Sequence, residues 1–296
     1  MKSKKILFLL PILLIDLVMA DDCSITNLGG CLAQKFFEFL LGILNAPIQP
    51  LLTMIYNLLT NPVNIDIFSS VWITIVYILS MFYGILLMYI GFKFIISGYS
   101  AEQREKAKSS LANIIIMMVL VQASFYLYSL TIEISSSVTT VIFNMVEKDF
   151  FLLTIDDITN IGLQFVFTFP YIICLLLTLI LLTLRYMIVS VGVILFPIGI
   201  FFYFIGPLNN FGRLLINFLF VTIFITFFYS VIFLASSNLL SASLFEDIKI
   251  LVMIGAFTFV NLITLGLGLF VLIKSATKVA SPVMQVVSVV GAVTGA

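Results

Sequence analysis

The chain contains no histidine at all, and its charged residues make up only 9% of the sequence. The first absence removes the commonest metal ligand and the commonest general base. The second excludes an ordinary soluble globule, in which about a quarter of residues are charged. Lysine and arginine together balance aspartate and glutamate, so net charge is zero and no overall attraction to nucleic acid follows. Cysteine is limited to Cys23, Cys31 and Cys174, with no CxxC or zinc-type spacing. No nucleophile elbow, phosphate-cradling glycine loop or metal cluster occurs. An enzyme is therefore not expected, and neither is a cofactor.

What the chain does have is apolar length. Hydrophobic residues account for 62% of it and mean hydropathy is +1.26. Apolar runs of roughly 20 residues recur, the length that crosses a bilayer as a helix. The runs are continuous rather than alternating, which argues against a strand barrel. The expected class is an all-α polytopic membrane protein with about five transmembrane helices, a re-entrant hairpin and short interfacial helices.

Four regions follow. Residues 1–20, "MKSKKILFLLPILLIDLVMA", have a basic start, a short apolar middle and a small residue at the end, the pattern of a secretory signal peptide or, failing cleavage, a signal anchor. Either way the next segment begins outside the cytoplasm, where Cys23 and Cys31 are expected to form a local disulfide. Residues 21–66 form an external segment whose apolar part, interrupted by Pro47 and Pro50, reads as two short helices at the membrane surface. Residues 67–280 form the transmembrane domain. Residues 281–296 are an uncharged, small-residue apolar tail.

Charge placement sets the expected topology. The first clear spans are 71–96 and 111–132, joined by "SGYSAEQREKAKSS" at 97–110. With an external N-terminus this loop faces the cytoplasm, and Arg104, Lys106 and Lys108 agree with the positive-inside rule. Residues 133–160 carry Glu133, Glu147, Asp149, Asp156 and Asp157 and read as an external return, with "SSSVTTVIFNMV" an amphipathic segment rather than a span. A third span, 161–184, ends at Arg185. From Arg185 to Arg213 the chain either crosses or dips and returns. Pro197, Gly199, Gly206 and Pro207 supply the breaks a re-entrant hairpin needs, and five spans sort more of the basic residues inward than six. The last two spans fall near 214–239 and 250–273, leaving a cytoplasmic C-terminus.

Within these spans, Gly84, Gly91 and Gly98 recur every seven residues, a small-residue face suited to close helix packing or a subunit interface. The embedded amides Asn113, Gln122, Gln164, Asn217 and Asn261 read as interhelical hydrogen-bonding groups, and Asn261, Thr264 and Gly268 share one face that would form a seam or a pore wall. No acid lies within a span, which counts against an ion-driven carrier.

The charged loop is more particular than an anchor requires. "YIGFKFIISGYSAEQREKAKSSLANIIIMMVLVQASFYLYSL" resembles a hairpin of conjugation-type membrane proteins, in which a glycine-containing span, a short Arg-Glu-Lys-Ala loop and a second span follow one another. "RYMIVSVGVILFPIGIFFYFIGPLNNFGRLLINFLF" resembles a second signature of the polytopic inner-membrane subunit of type IV secretion systems, the TrbL-like family. There an Arg precedes an apolar run ending in Pro, and another span follows a turn; the matching positions are Arg185, Pro197, Pro207 and Arg213. The chain looks like a compact relative, of the kind used in archaeal DNA import. The resemblance implies a channel or assembly-platform subunit that moves DNA or protein, driven by a partner secretion ATPase and working with pilin subunits, with single-stranded DNA as a candidate cargo. It also implies an oligomeric complex in the plasma or inner membrane. Arg104, Glu105, Lys106 and Lys108 would then be a cytoplasmic docking loop. The alternative is a small-solute permease or channel acting alone.

Overall fold

The computed structural model describes residues 28–153, 161–240, 242, 245 and 248–270, and among them there is no strand. Six long helices account for most of these residues. They are α1 (Leu28–Thr60), α2 (Ser69–Ile96), α3 (Ala101–Phe143), α4 (Ile161–Phe204), α5 (Asn209–Leu239) and α6 (Lys249–Phe270). All but α1 are long and apolar enough to cross a membrane. The chain is an all-α, multi-pass membrane protein. The signal peptide, Cys23 and the C-terminal tail lie outside the described residues, and with Cys23 so does the expected disulfide to Cys31.

Three elements differ from the sequence expectation, each for a local reason. The first is α1, one helix of 33 residues through both Pro47 and Pro50. Each proline removes an amide that would have bonded four residues back, at Ile43 and Ala46. Both prolines and both of those residues are exposed, while Ile48, Ile55 and Leu59 on the other side are buried. Packing of one face holds the helix together across the missing bonds.

The second is α3, which grows out of the charged loop as expected but continues to Phe143, through the serine-rich stretch read as a separate amphipathic segment. Hydroxyls do not break the helix because they bond to backbone carbonyls on their own or neighbouring helices. Thr139 and Thr140 donate to carbonyls four residues back, Ser136 and Thr140 to the Thr60 carbonyl, and Ser135 to the Ile223 carbonyl at 2.9 Å.

The third is the segment from Arg185 to Arg213. It is not a re-entrant hairpin of broken backbone. The third span does not end at Arg185, because α4 runs on for 44 residues, past Pro197 and Gly199, to Phe204. The bend is confined to a tight turn around Gly206–Leu208, where Pro207 sits at the start of a single 3-10 turn. The next helix begins at once, carrying Arg213 in its second turn.

At 1.5 Å per residue, α3 and α4 are each about 65 Å long, roughly twice the hydrocarbon core of a bilayer. Two separate cores are stacked along them. One gathers Ile55 and Leu59 of α1, Tyr171, Leu175 and Leu182 of α4, Tyr229 and Phe233 of α5, and Met253, Phe257 and Val260 of α6. The other gathers Val76 and Leu79 of α2, Met117, Val121 and Tyr128 of α3, Val189 to Phe201 of α4, and Leu219 and Ile223 of α5. The α6 core contains no α2 residue and the α2 core no α6 residue. α6 meets α4 at Cys174 and Thr178, whereas α2 lies against Ile198 and Phe201, some twenty residues or about 30 Å further along. Of the span-like helices, α2 and α6 are thus staggered onto two levels of the longer helices that run through both cores.

Candidate functional site

The boundary between the two cores is polar. On α4 it falls between Leu182 and Val189, and on α5 between Ile223 and Ile225. Arg185 occupies that gap. The residue is 7% exposed, and among the described residues no carboxylate pairs with it. It bonds to helix dipoles instead. Nε donates to the Thr222 carbonyl at 3.1 Å, and Nη2 to the Ile223 carbonyl at 2.8 Å and more weakly to Thr226 Oγ1 at 3.4 Å. The Ile223 carbonyl also receives Ser135, so one carbonyl ties α3, α4 and α5 together. A charge in an apolar interior is costly unless it is bonded or neutralised, and residues so placed usually mark a working site.

A ring of interhelical bonds extends from this level into the α6 core, where Thr178 and Cys174 precede Arg185 on α4. Tyr128 donates to the Val189 carbonyl at 2.7 Å. Tyr229 bonds Thr264 of α6, and Thr178 donates to Asn261 Oδ1 at 2.9 Å. Asn261 Nδ2 reaches the Cys174 carbonyl at 3.3 Å. Tyr186 accepts a bond from the Asn64 amide at 3.2 Å, tying the α1–α2 linker to the waist. Asn261 is thus the interhelical bonding group the sequence suggests, and with Thr264 it forms a seam. Asn113, Gln122 and Asn217 are exposed and take no part in this ring. Cys174 is partly buried with its sulfur 3.5 Å from Thr258 Oγ1, consistent with a packing role.

One cavity borders the waist and another lies beyond it, against Phe143, Phe233 and Phe257 in the α6 core. The first, of about 270 Å³, lies between α4, α5 and α6, with Arg185, Thr222 and Thr264 among otherwise apolar walls that include Gly268. The second, of about 670 Å³, opens between α1, the end of α3 and residues 146–152, with Gln49, Thr53, Tyr56 and Asn144 on its wall.

The remaining sequence candidates are placed less centrally. Gly84, Gly91 and Gly98 lie on the exposed side of α2 and the turn after it, where an added methyl would meet nothing within 4 Å. They do not pack helices within the chain. That role belongs to Gly192 and Gly212, which the sequence reading passed over because neither falls in a periodic stripe. A methyl at Gly212 would overlap the Tyr203 backbone, and one at Gly192 would strike the Tyr128 hydroxyl. Gly199 lies against the same crossing, its would-be methyl 2.9 Å from Leu215. Gly206 is open. Pro197 is buried inside α4 and Pro207 exposed at the turn. Arg213 sits over the Tyr203 ring, 5.8 Å from its centroid.

The charged loop is largely the first turns of α3. Arg104, Glu105, Lys106 and Lys108 are all exposed, with Lys106 paired to Glu102 at 2.6 Å. Lys93 reaches across to Ser110 at 3.2 Å, joining the two helices at this end. The structure therefore holds the four charged residues on one helical end, far along α3 from the Arg185 waist. Compared with family models, with curated proteins and with solved structures, the chain matches none.

Proposed function

We propose that the chain is a channel or assembly-platform subunit of a type IV secretion or conjugation-like machine that moves DNA or protein across a membrane. The observation that carries this reading is the stagger of the two cores. Both levels expose large apolar side chains: Ile73, Tyr77, Ile85 and Met88 on α2, and Phe169, Ile173 and Ile180 on α4 beside the other core. One bilayer core of about 30 Å covers only one level of a bundle roughly twice as long. The other level needs protein against it, either further copies of the chain or partner subunits, as exposed apolar area of this extent implies. A subunit of an assembly fits that requirement better than a permease acting alone.

In this reading the N-terminal side is external and the C-terminus cytoplasmic, in the plasma or inner membrane. The helical start of α3 then presents Arg104, Glu105, Lys106 and Lys108 to a secretion ATPase, which supplies the energy. Pilin subunits meet the opposite side.

The test is the double variant Arg104→Gln with Lys108→Gln. Exposed charge changes usually alter stability by less than about 0.5 kcal/mol, and Lys93 and Lys106 remain to hold orientation. The expected outcome is normal insertion with loss of transfer and of ATPase co-purification. Full transfer with unchanged ATPase co-purification would reduce the loop to a topology anchor. Solute flux by the purified wild-type chain alone would favour the permease instead.

A further inference from the structure

We propose that the groove between α4, α5 and α6 binds an anionic amphiphile, its oxyanion on Arg185 and its alkyl chain along the apolar walls. Three observations converge there. The first is the unpaired charge. Arg185 is buried, faces no carboxylate among the described residues, and is held only by two carbonyls and a hydroxyl. Those dipoles satisfy hydrogen-bonding directions but leave the net positive charge in place, and a buried uncompensated charge favours a counter-ion.

The second is the free edge of the guanidinium. All three of its bonds use Nε and Nη2, so among the described residues Nη1 has no acceptor. Nor is Nη1 sealed off, for the only sealed and unbonded side-chain polar atom among the described residues is the Tyr83 hydroxyl. Arg185 lines the groove, so a guanidinium with bonding capacity to spare borders it. Guanidinium matches carboxylate and phosphate oxygens in geometry as well as charge.

The third is the shape and chemistry of the rest. The cavity is about 270 Å³, on the order of ten water volumes, which fits an oxyanion and a short length of alkyl chain. Apart from Arg185, Thr222 and Thr264 its walls are apolar, with Leu181, Leu184, Ile188, Val221 and Leu265 among them. An inorganic anion would leave those walls facing water, whereas an acyl chain would bury them. The placement fixes the oxyanion at the level where the two cores meet, so the bound molecule would brace α6 against α4 and α5.

The oxyanion can come from a phospholipid phosphate or a fatty-acid carboxylate, and the experiment separates them. The full chain, purified in neutral detergent and stripped of lipid, is titrated with phosphatidylglycerol, oleate and phosphatidylcholine while native mass spectrometry counts bound molecules. Phosphatidylglycerol or oleate should bind about tenfold or more tightly than phosphatidylcholine, and whichever is tighter identifies the source. Arg185→Gln should abolish that preference. Because Arg185→Gln also loosens the α4–α5 contact, Gly268→Phe provides the independent variant. Gly268 lines the groove, and a Cβ added there meets nothing within 4 Å, so the larger side chain replaces no bond that Arg185 makes. The variant should lower anionic binding by a similar factor while melting like the parent. Equal binding of the three amphiphiles by the wild type, or wild-type preference in Gly268→Phe, would overturn the proposal.

Discussion

Gly212 and Gly192 set how closely the central helices approach. At Gly212 the α4 and α5 backbones touch, with the Gly199 carbonyl and Tyr203 amide against the missing side chain. Gly212→Ala forces backbone apart and should cost on the order of 1–3 kcal/mol, the range for overpacking a tight core. Gly84→Ala meets open space and replaces a poor helix former with a good one, so it should be neutral or stabilising by up to about 1 kcal/mol. Thermal unfolding of the two variants in the same detergent checks this, and a larger loss at Gly84 than at Gly212 would contradict it. The seven-residue glycine stripe is the visible pattern in the sequence, yet an isolated glycine in an apolar run is what the fold uses. Periodicity shows that a face is uniform, not that something lies against it. Arg185 was hidden for a related reason. A lone cation after an apolar run looks like the end of a span, and only the α5 carbonyls opposite it show that it stays inside.

At the scale of elements, the apolar runs made the helices legible, and their continuity was what the sequence obscured. Pro47 and Pro50 read as breaks because a proline costs helix bonds locally. Whether α1 survives that cost depends on Ile48, Ile55 and Leu59 being gripped by residues distant in sequence. The serine-rich end of α3 is the same case, since its hydroxyls find acceptors at Thr60 and Ile223 that no local pattern announces. The turn at Gly206–Leu208, by contrast, fell among the glycine and proline residues expected to bend the chain. Spin labels at Phe39 and Tyr56, both exposed, are seventeen residues apart in α1. A continuous helix predicts one distance population near about 25 Å between the labelled backbones. A broad distribution centred well below that would mean two helices folded at the prolines.

For the whole molecule, the decisive property is length along the helix axis. Composition revealed that the surface is apolar and charge suggested which ends face which side, but neither could reveal that α2 and α6 occupy different levels of α4. That stagger depends on which stretches of α3, α4 and α5 are shared between two cores, a matter of long-range contact. It is also the feature on which the proposed need for partners rests. The most direct test is the mass of the particle extracted from native membranes in a mild detergent. The account predicts an assembly several times the 33.0 kDa of one chain, containing further copies or partner subunits. Recovery of a lone chain that is folded, stable and by itself active in solute flux would contradict it.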